Sequence, residues 1–591
     1  MAAPLRTASI TAPAFYGLNT TDSEVTLDPK FARVANNCII DEGGRLGSRK
    51  GWQYAMQTSP VSTIDLKGMH RFVDINGSEY FGAWSDDTFY VESPSGSGTL
   101  VEVTYNGSNT LTEGKWQAAT LNDAAYLFQD DYKPIYFNPT TGVLDDVENA
   151  DVTHAVSITN SGTTATVTQV NHYLVDGDTV TIAGANETEY NGTWTITVVN
   201  SETYEYTMGS SPSGDATGSP TATYTKGTPP EANTVLSAYG RLWVANTPTN
   251  KTTVYWSELL DGTEWRTASP TVGSLDISGI LVYGNDEIVG LGAHNGRLII
   301  FCKNNIIIMD DSSVGKQYLD PADMALVEVI NGIGCIARDS IVNTGTDILF
   351  LSESGVRALS RTIQEKSQPM RDISRNVRDQ LVDQVSRVSD KSSIKAVYSE
   401  SNGFYLLALP TDTSVYCFDT KQVLPDGSAR VTKWSGLDHT SWLAYDGKIY
   451  MTNTQGIAEY TGYQDNGNSY SMNYQTNYFD FGSENIVKFL KNISTTLIGS
   501  TGKSLSINIY KDYEDIPYPP ITLTLKEGNV FEYGIAEYGE AEYAGGALTE
   551  NLKVPVTGSG FVIKLAIESE IDGGFLNIQQ LNLYAKQGRL N

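Results

Sequence analysis

Few side chains in this 591-residue chain are spaced for chemistry. The segment Gly499-Ser500-Thr501-Gly502-Lys503-Ser504 echoes a phosphate-binding loop. Such a loop needs a glycine five positions before its second glycine and a helix after its lysine. Leu497 stands at the first position, and Leu505 to Tyr510 alternates like a strand, so the segment reads as a hairpin turn. His172, followed by Asp176 and Asp178, has the donor types for a metal, and also the composition of an ordinary solvated loop. Only five histidines occur: His70, His154, His172, His294 and His439. Neither a Gly-x-Ser-x-Gly elbow nor a His-Glu-x-x-His pair is present. Cys38, Cys302, Cys335 and Cys417 lie far apart in apolar, strand-like contexts without metal-ligand spacing, which predicts buried free thiols made in a reducing cytoplasm. The expectation is a protein without catalytic residues, cofactor or metal.

Composition narrows the class further. Charged residues are 18% of the chain, yet the formal net charge is −29. A surface that grips nucleic acid needs a Lys/Arg footprint, so this balance argues against one. It suits solubility, or a wall past which DNA slides without sticking. Between residues 71 and 230 there are four Lys/Arg against 21 Asp/Glu, which places more than half of the net charge there. The first residues lack the apolar core of a secretory signal, and no run of 18 apolar residues suggests a membrane span.

The elements that would position any site are strands. Apolar and polar residues alternate at period two over long stretches, while amphipathic helices are scarce. A length of 591 residues calls for several domains. Seven segments share the form turn, apolar strand, turn, apolar strand: 77–91, 122–137, 239–257, 295–311, 345–360, 402–419 and 446–462. Most begin about 44 to 57 residues apart, near the length of a four-stranded propeller blade. The exception, 117 residues between 122 and 239, falls to 39 when the 78 residues 151–228 are set aside as an insertion. The fold expected is therefore all-β: a β-propeller of six to eight blades, best counted as seven, with an inserted small β-module and a C-terminal β-sandwich-like domain. The expected divisions are 1–62 (a segment and hairpin closing or flanking the propeller), 63–150 (first blades), 151–228 (insertion), 229–462 (remaining blades) and 463–591 (the sandwich-like domain).

Within the insertion, five or so short strands alternate with loops, and a flexible loop is expected at 209–218. Such a module projects from a blade, free to face a neighbouring subunit or another partner. One helix is expected from Asp372 to Asp390, with Ile373, Val377, Leu381, Val385 and Val388 as its apolar stripe and Arg375–Asp379 as an i, i+4 ion pair. The C-terminal loop carrying Tyr533, Tyr538 and Tyr543 interleaves tyrosine with glutamate. It and the helix face of Ile373, Val377 and Leu381 are the candidate subunit contacts.

The chain opens with Tyr16-Gly17-Leu18-Asn19, Leu27-Asp28-Pro29, Phe31-Ala32-Arg33, Asn36-Asn37 and Asp41-Glu42-Gly43-Gly44-Arg45-Leu46-Gly47-Ser48-Arg49-Lys50-Gly51-Trp52. This order resembles the opening of the tail nozzle, or tail tubular, proteins of short-tailed bacteriophages, with Asn19, Arg33, Asn36, Gly43, Gly44, Arg49 and Gly51 as the motif positions. Gly240-Arg241-Leu242-Trp243-Val244, Tyr255-Trp256-Ser257, Phe350-Leu351-Ser352-Glu353-Ser354-Gly355-Val356-Arg357 and Arg430-Val431-Thr432-Lys433-Trp434 look like later phrases of the same family.

The resemblance implies a virion protein assembled in the host cytoplasm as a homohexameric ring below the portal and tail adaptor protein. Such a ring would enclose the DNA ejection channel without binding the DNA specifically, and offer docking surface to tail fibres or spikes. Two other readings remain open: a propeller that binds a host-surface glycan, and a propeller glycosidase or depolymerase. The last needs paired carboxylates at a funnel mouth. Carboxylates are abundant, but the Ser-x-Asp-x-Gly-x-x-Trp turns of sialidase blades do not occur.

Overall fold

The computed structural model describes residues 5–588 apart from 75, 109, 282–285, 312–320, 365–371, 411–412, 438, 501 and 526–547. Strands hold 52% and helices 5%, so the chain is all-β, as its alternating pattern predicts. It divides into two compact units: residues 67–334, and residues 1–66 together with 335–591.

In the 67–334 unit, four antiparallel meanders of blade form follow one another. Their first strands are Gly68–Val73, Gln117–Leu121, Thr234–Ala238 and Ile288–His294, and each meander has four strands in chain order. Gln117–Leu121 lies between Gly68–Val73 and Thr234–Ala238, and Thr234–Ala238 in turn lies against Ile288–His294. Successive sheets therefore meet along their first strands. Local sequence fixes the meanders: Asn295-Gly296 has both φ values positive (51° and 77°), the backbone that a two-residue hairpin between right-twisted strands requires. The segment Arg297–Cys302 is buried along nearly its whole length, because it carries apolar residues on both faces and packs between neighbours.

His70, on the first of these strands, shares a 2.9 Å hydrogen bond between Nε2 and Thr120 Oγ1. Burial first, and Arg71 second, push its pKa down to about 4. An unfolded histidine titrates near 6.5, so the neutral ring is favoured by folding; this stability is full above pH ~6.5 and lost as pH falls towards the folded value, at most about 3 kcal/mol. The wild-type unit is expected to lose more thermal stability between neutral and acid pH than His70→Gln does. Identical pH slopes for the two in calorimetry would refute this.

The insertion leaves the second meander after Val143–Asp146 and returns before the third. It folds on its own core, including Ile158, Val167, Ile182, Tyr204 and Tyr206, between two four-stranded sheets. Its root is clamped. Lys226 Nζ lies 2.6 Å from Asp261 Oδ2, and the Arg266 guanidinium covers the Tyr224 ring at 4.6 Å while pairing with Glu264 at 2.7 Å.

In the other unit, three further blade-form sheets begin at Val342–Asn343, Lys395–Ser399 and Trp442–Tyr445, again with neighbouring first strands. The last of these is completed by Trp52–Thr58, which pairs with Gly456–Tyr460. The remaining strands fall in two broad sheets, one of which extends the blade that begins at Lys395–Ser399. One joins Leu5–Thr11, Cys38–Ile40 and Leu46–Ser48 to Leu576–Gln587, Lys488–Gly499 and Leu548–Pro555. The other runs from Lys395–Ser399 through Ala429–Ser435, Gly17–Leu18 and Phe31–Asn36 into Tyr470–Thr476, Ile563–Ile571, Ser504–Lys511 and Ile521–Thr524. The C-terminal strands are thus not separate from the blades, as the sequence reading had them. Residues 5–48 lend strands to both sheets, and one core includes Ile10, Leu18, Leu351, Tyr405, Leu497 and Ile567.

The expected helix is shorter than its stripe: a 3-10 turn over Arg375–Val377 precedes an α-helix over Arg378–Arg387. Because Arg375 lies in the tighter turn, it pairs with Asp426 (3.1 Å) and not with Asp379. Gly499 ends one strand and Ser504 starts another in the opposite sheet, so the phosphate-loop echo is a crossing between sheets and not a hairpin.

Candidate functional site at the N-terminal seam

The motif positions of the opening segment lie on and beside the strands that it contributes to the two broad sheets and the last blade of the same unit. Arg49 follows the short strand Leu46–Ser48 and is fully buried. Its Nη1 and Nη2 each donate to one oxygen of Asp465 at 2.8 Å, Nε donates to Asn37 Oδ1 at 3.0 Å, and Nη1 also reaches Lys50 O at 2.8 Å. The guanidinium lies 4.0 Å from the Tyr470 ring centroid, and the Tyr470 hydroxyl donates to Arg49 O. A buried cation is tolerated when it is paired and its donors are satisfied, and here a planar fork meets a carboxylate edge to edge.

Two residues on, Gly51 threads through the link between Gly456–Tyr460 and Tyr470–Thr476. Its N–H donates to Gly462 O at 2.9 Å, and Trp52 N–H donates to Gln464 O at 2.9 Å. A Cβ on Gly51 would stand 1.9 Å from Gln464 O. Gly44 has φ +69°, and a Cβ there would meet Pro13 at 2.4 Å. Gly43, by contrast, faces only side-chain atoms, of Arg45 at 3.3 Å and Asp41 at 3.4 Å, so the turn does not demand glycine at that position.

The other motif residues tie down the loop before Phe31–Asn36. Asn19 is fully buried; its side chain accepts from the N–H groups of Thr21 (3.1 Å) and Asp22 (3.0 Å) and donates to Asp22 Oδ2 (2.8 Å). Arg33 donates to Asn19 O and Asp22 O, each at 3.0 Å, and to Glu24 at 3.1 Å. Asn36 donates to Ser435 Oγ at 2.8 Å. Asn37, Asp465 and Asn477 are further members of the seam that sequence reasoning missed. Asn37 takes φ 53° and accepts from Ser435 N–H at 2.9 Å, while Asn477 donates to Leu27 O at 2.6 Å. The only local signal for Asn37 is its residue type, since asparagine tolerates a left-handed backbone; nothing in the sequence pairs Asp465 with Arg49.

Ile373, Val377 and Leu381 are not subunit contacts. Together with Val385 and Val388 they are buried in the core of their own unit, since the stripe covers blade and sheet residues of the same chain. Tyr533, Tyr538 and Tyr543 lie outside the described residues.

The groups with potential chemistry are engaged structurally. All four cysteines are buried, and burial pushes the Cys335 thiol up to about 11 and the other three higher still, away from thiolate chemistry. His172 is buried, with Nε2 on Asn200 O at 2.9 Å and Nδ1 accepting from Leu174 N–H at 3.0 Å. Burial raises the pKa of Asp372 and of Asp419 despite their partners Arg378 and Arg430. Burial would raise Asp339 too, but Arg338 and Lys395 outweigh it and hold that carboxylate low. These are ion pairs of a framework. Charge is unevenly shared: residues 67–334 hold 11 Lys/Arg against 33 Asp/Glu, or −22 of the net −29.

No protein-family model and no curated protein matches the chain. Among solved structures, the phage phi92 endosialidase is 10% identical with a TM-score of 0.24, over 86% of this chain and 75% of that one. Sqt1 of Chaetomium thermophilum is 11% identical with a TM-score of 0.30, over 70% of this chain and 97% of that one. At these scores neither likeness bears on what this chain does.

Proposed function

We propose that this chain is a structural subunit of a short-tailed phage tail, a nozzle protein that forms a sixfold ring around the DNA ejection channel. The observation that supports this most is how the nozzle-like opening segment is used. Arg49, Asn19 and Gly51 are each buried against partners more than 350 residues away, so the phrase belongs to the fold itself and not to a loose surface hairpin. A tail channel must bear the pressure of exiting DNA. A strand framework stitched from both ends of the chain suits that task. The −22 borne by residues 67–334 suits a wall that repels phosphate. Ring closure needs two different complementary patches on each subunit, with the tail adaptor above and fibres or spikes as docked partners.

Native mass spectrometry with negative-stain imaging of the purified chain, alone and with its adaptor, tests the reading. A hollow sixfold ring is the expected result. A monomer or trimer that binds host polysaccharide, or that releases reducing ends from it, would sink the nozzle assignment.

A further inference from the structure

The insertion carries an apolar spot that its fold does not need. Val170, Val175 and Val199 are exposed by 64%, 53% and 54%, on a module whose other valines and isoleucines are mostly buried. They belong to one edge. The short strand Thr197–Asn200 is the last of its sheet, and the loop 169–178 is zipped along it: Asp176 Oδ1 accepts from Val198 N–H at 2.6 Å, His172 Nε2 meets Asn200 O at 2.9 Å, and Gln169 N–H donates to Glu202 O at 2.8 Å. Val199 is the extra residue of a β-bulge, because Val198 pairs with Tyr204 and Asn200 with Thr203. A bulge re-aims a side chain, and here it leaves an apolar one in water. The surroundings are acidic: residues 151–228 contain eight Asp/Glu and one lysine, Lys226, which is bound to Asp261.

We infer that this valine edge is a docking site for a different protein, one that presents an apolar strand or loop rimmed by Lys/Arg. Three exposed valines along the same edge as Asp176 and Glu202 offer an apolar seat with an anionic rim, the usual anatomy of a specific interface once a partner covers it. Charge selects the occupant. A second copy of the module would bring seven excess negative charges against seven, and an anionic lipid surface or nucleic acid is repelled in the same way. The inference rests on the appendage-docking part of the nozzle reading and names the chemistry of the appendage. It is independent of ring formation, which is measured separately by oligomeric state.

The test uses the full chain and two fluorescent strand peptides, one alternating leucine with lysine and its twin alternating leucine with glutamate. The lysine peptide is expected to bind, the twin not, and added salt to weaken binding. Val199→Asp adds a carboxylate, which would tighten mere electrostatic sticking, yet it is expected to weaken binding by about tenfold or more because the apolar seat is lost. Val175→Asp should act alike, while Val101→Asp, at an exposed valine on a blade, should leave binding unchanged. Absence of binding, equal binding of the twins, unchanged or tighter binding by Val199→Asp, or an equal loss in Val101→Asp overturns the proposal.

Discussion

Asp465→Ala is expected to destabilise the unit formed by residues 1–66 and 335–591 by about 3 kcal/mol or more. The aspartate holds both terminal nitrogens of Arg49 at 2.8 Å, and Arg49 has no access to solvent. Without the carboxylate, the guanidinium keeps Asn37 Oδ1, Lys50 O and the Tyr470 face, but none of these neutralises its charge. Removing one partner of a buried pair costs more than the pair contributes, because the desolvated charge stays behind. The double variant Arg49→Met/Asp465→Leu, which removes both charges and keeps apolar volume, is therefore expected to be more stable than Asp465→Ala alone. Urea unfolding of the three proteins reads this from their midpoints at constant slope. A single variant within 1 kcal/mol of wild type would show that the pair is peripheral, and a double variant less stable than the single would refute the stranded-charge account.

Gly51→Ala is expected to be as damaging, for a steric reason. The added methyl would sit 1.9 Å from Gln464 O, 2.4 Å from its carbonyl carbon and 2.6 Å from its nitrogen. All three are backbone atoms, so no side-chain rotation relieves the clash. The link 461–466 must move, and with it the bonds from Gly51 N–H to Gly462 O, Trp52 N–H to Gln464 O and Thr461 N–H to Gly51 O. Overpacking plus lost hydrogen bonds gives about 3 to 5 kcal/mol. Gly77→Ala is the contrast: its φ of +82° is unfavourable for alanine, but nothing lies within 4 Å of the new Cβ, so about 1 kcal/mol is expected. Hydrogen exchange should show the Gly51 variant loosening 461–468 together with Trp52–Thr58, whose pairing with Gly456–Tyr460 completes a blade. Equal stability of the two glycine variants would mean that the close approach is absorbed without cost.

The opening phrase could be read from sequence, but not its purpose. Asn-Gly and Asp-Gly turns, period-two runs and the excess length between two blade-like segments depend on residues close in the chain. Hence the all-β class and an inserted β-module with its own core agree with the reading. The helix stripe is equally local, and its five apolar residues are indeed on one buried face. What covers that face is not local. The stripe has the same pattern whether a neighbouring subunit or the chain's own sheets lie over it, and here the chain's own core does.

By itself, then, the sequence determined the strand-rich class, the turn chemistry, the acidic balance and the absence of spaced catalytic motifs, because each follows from composition or from neighbours a few residues apart. Only the tertiary structure decided that residues 5–58 are shared between two broad sheets and the last blade, and that Arg49 finds its carboxylate 416 positions away. Strand pairing is satisfied by any edge of the right register and polarity, so sequence alternation specifies that a strand forms without naming its partner. The partner is chosen by which packing pairs buried charges and backbone N–H groups and covers most of the apolar surface. That is settled only when both ends of the chain are packed together.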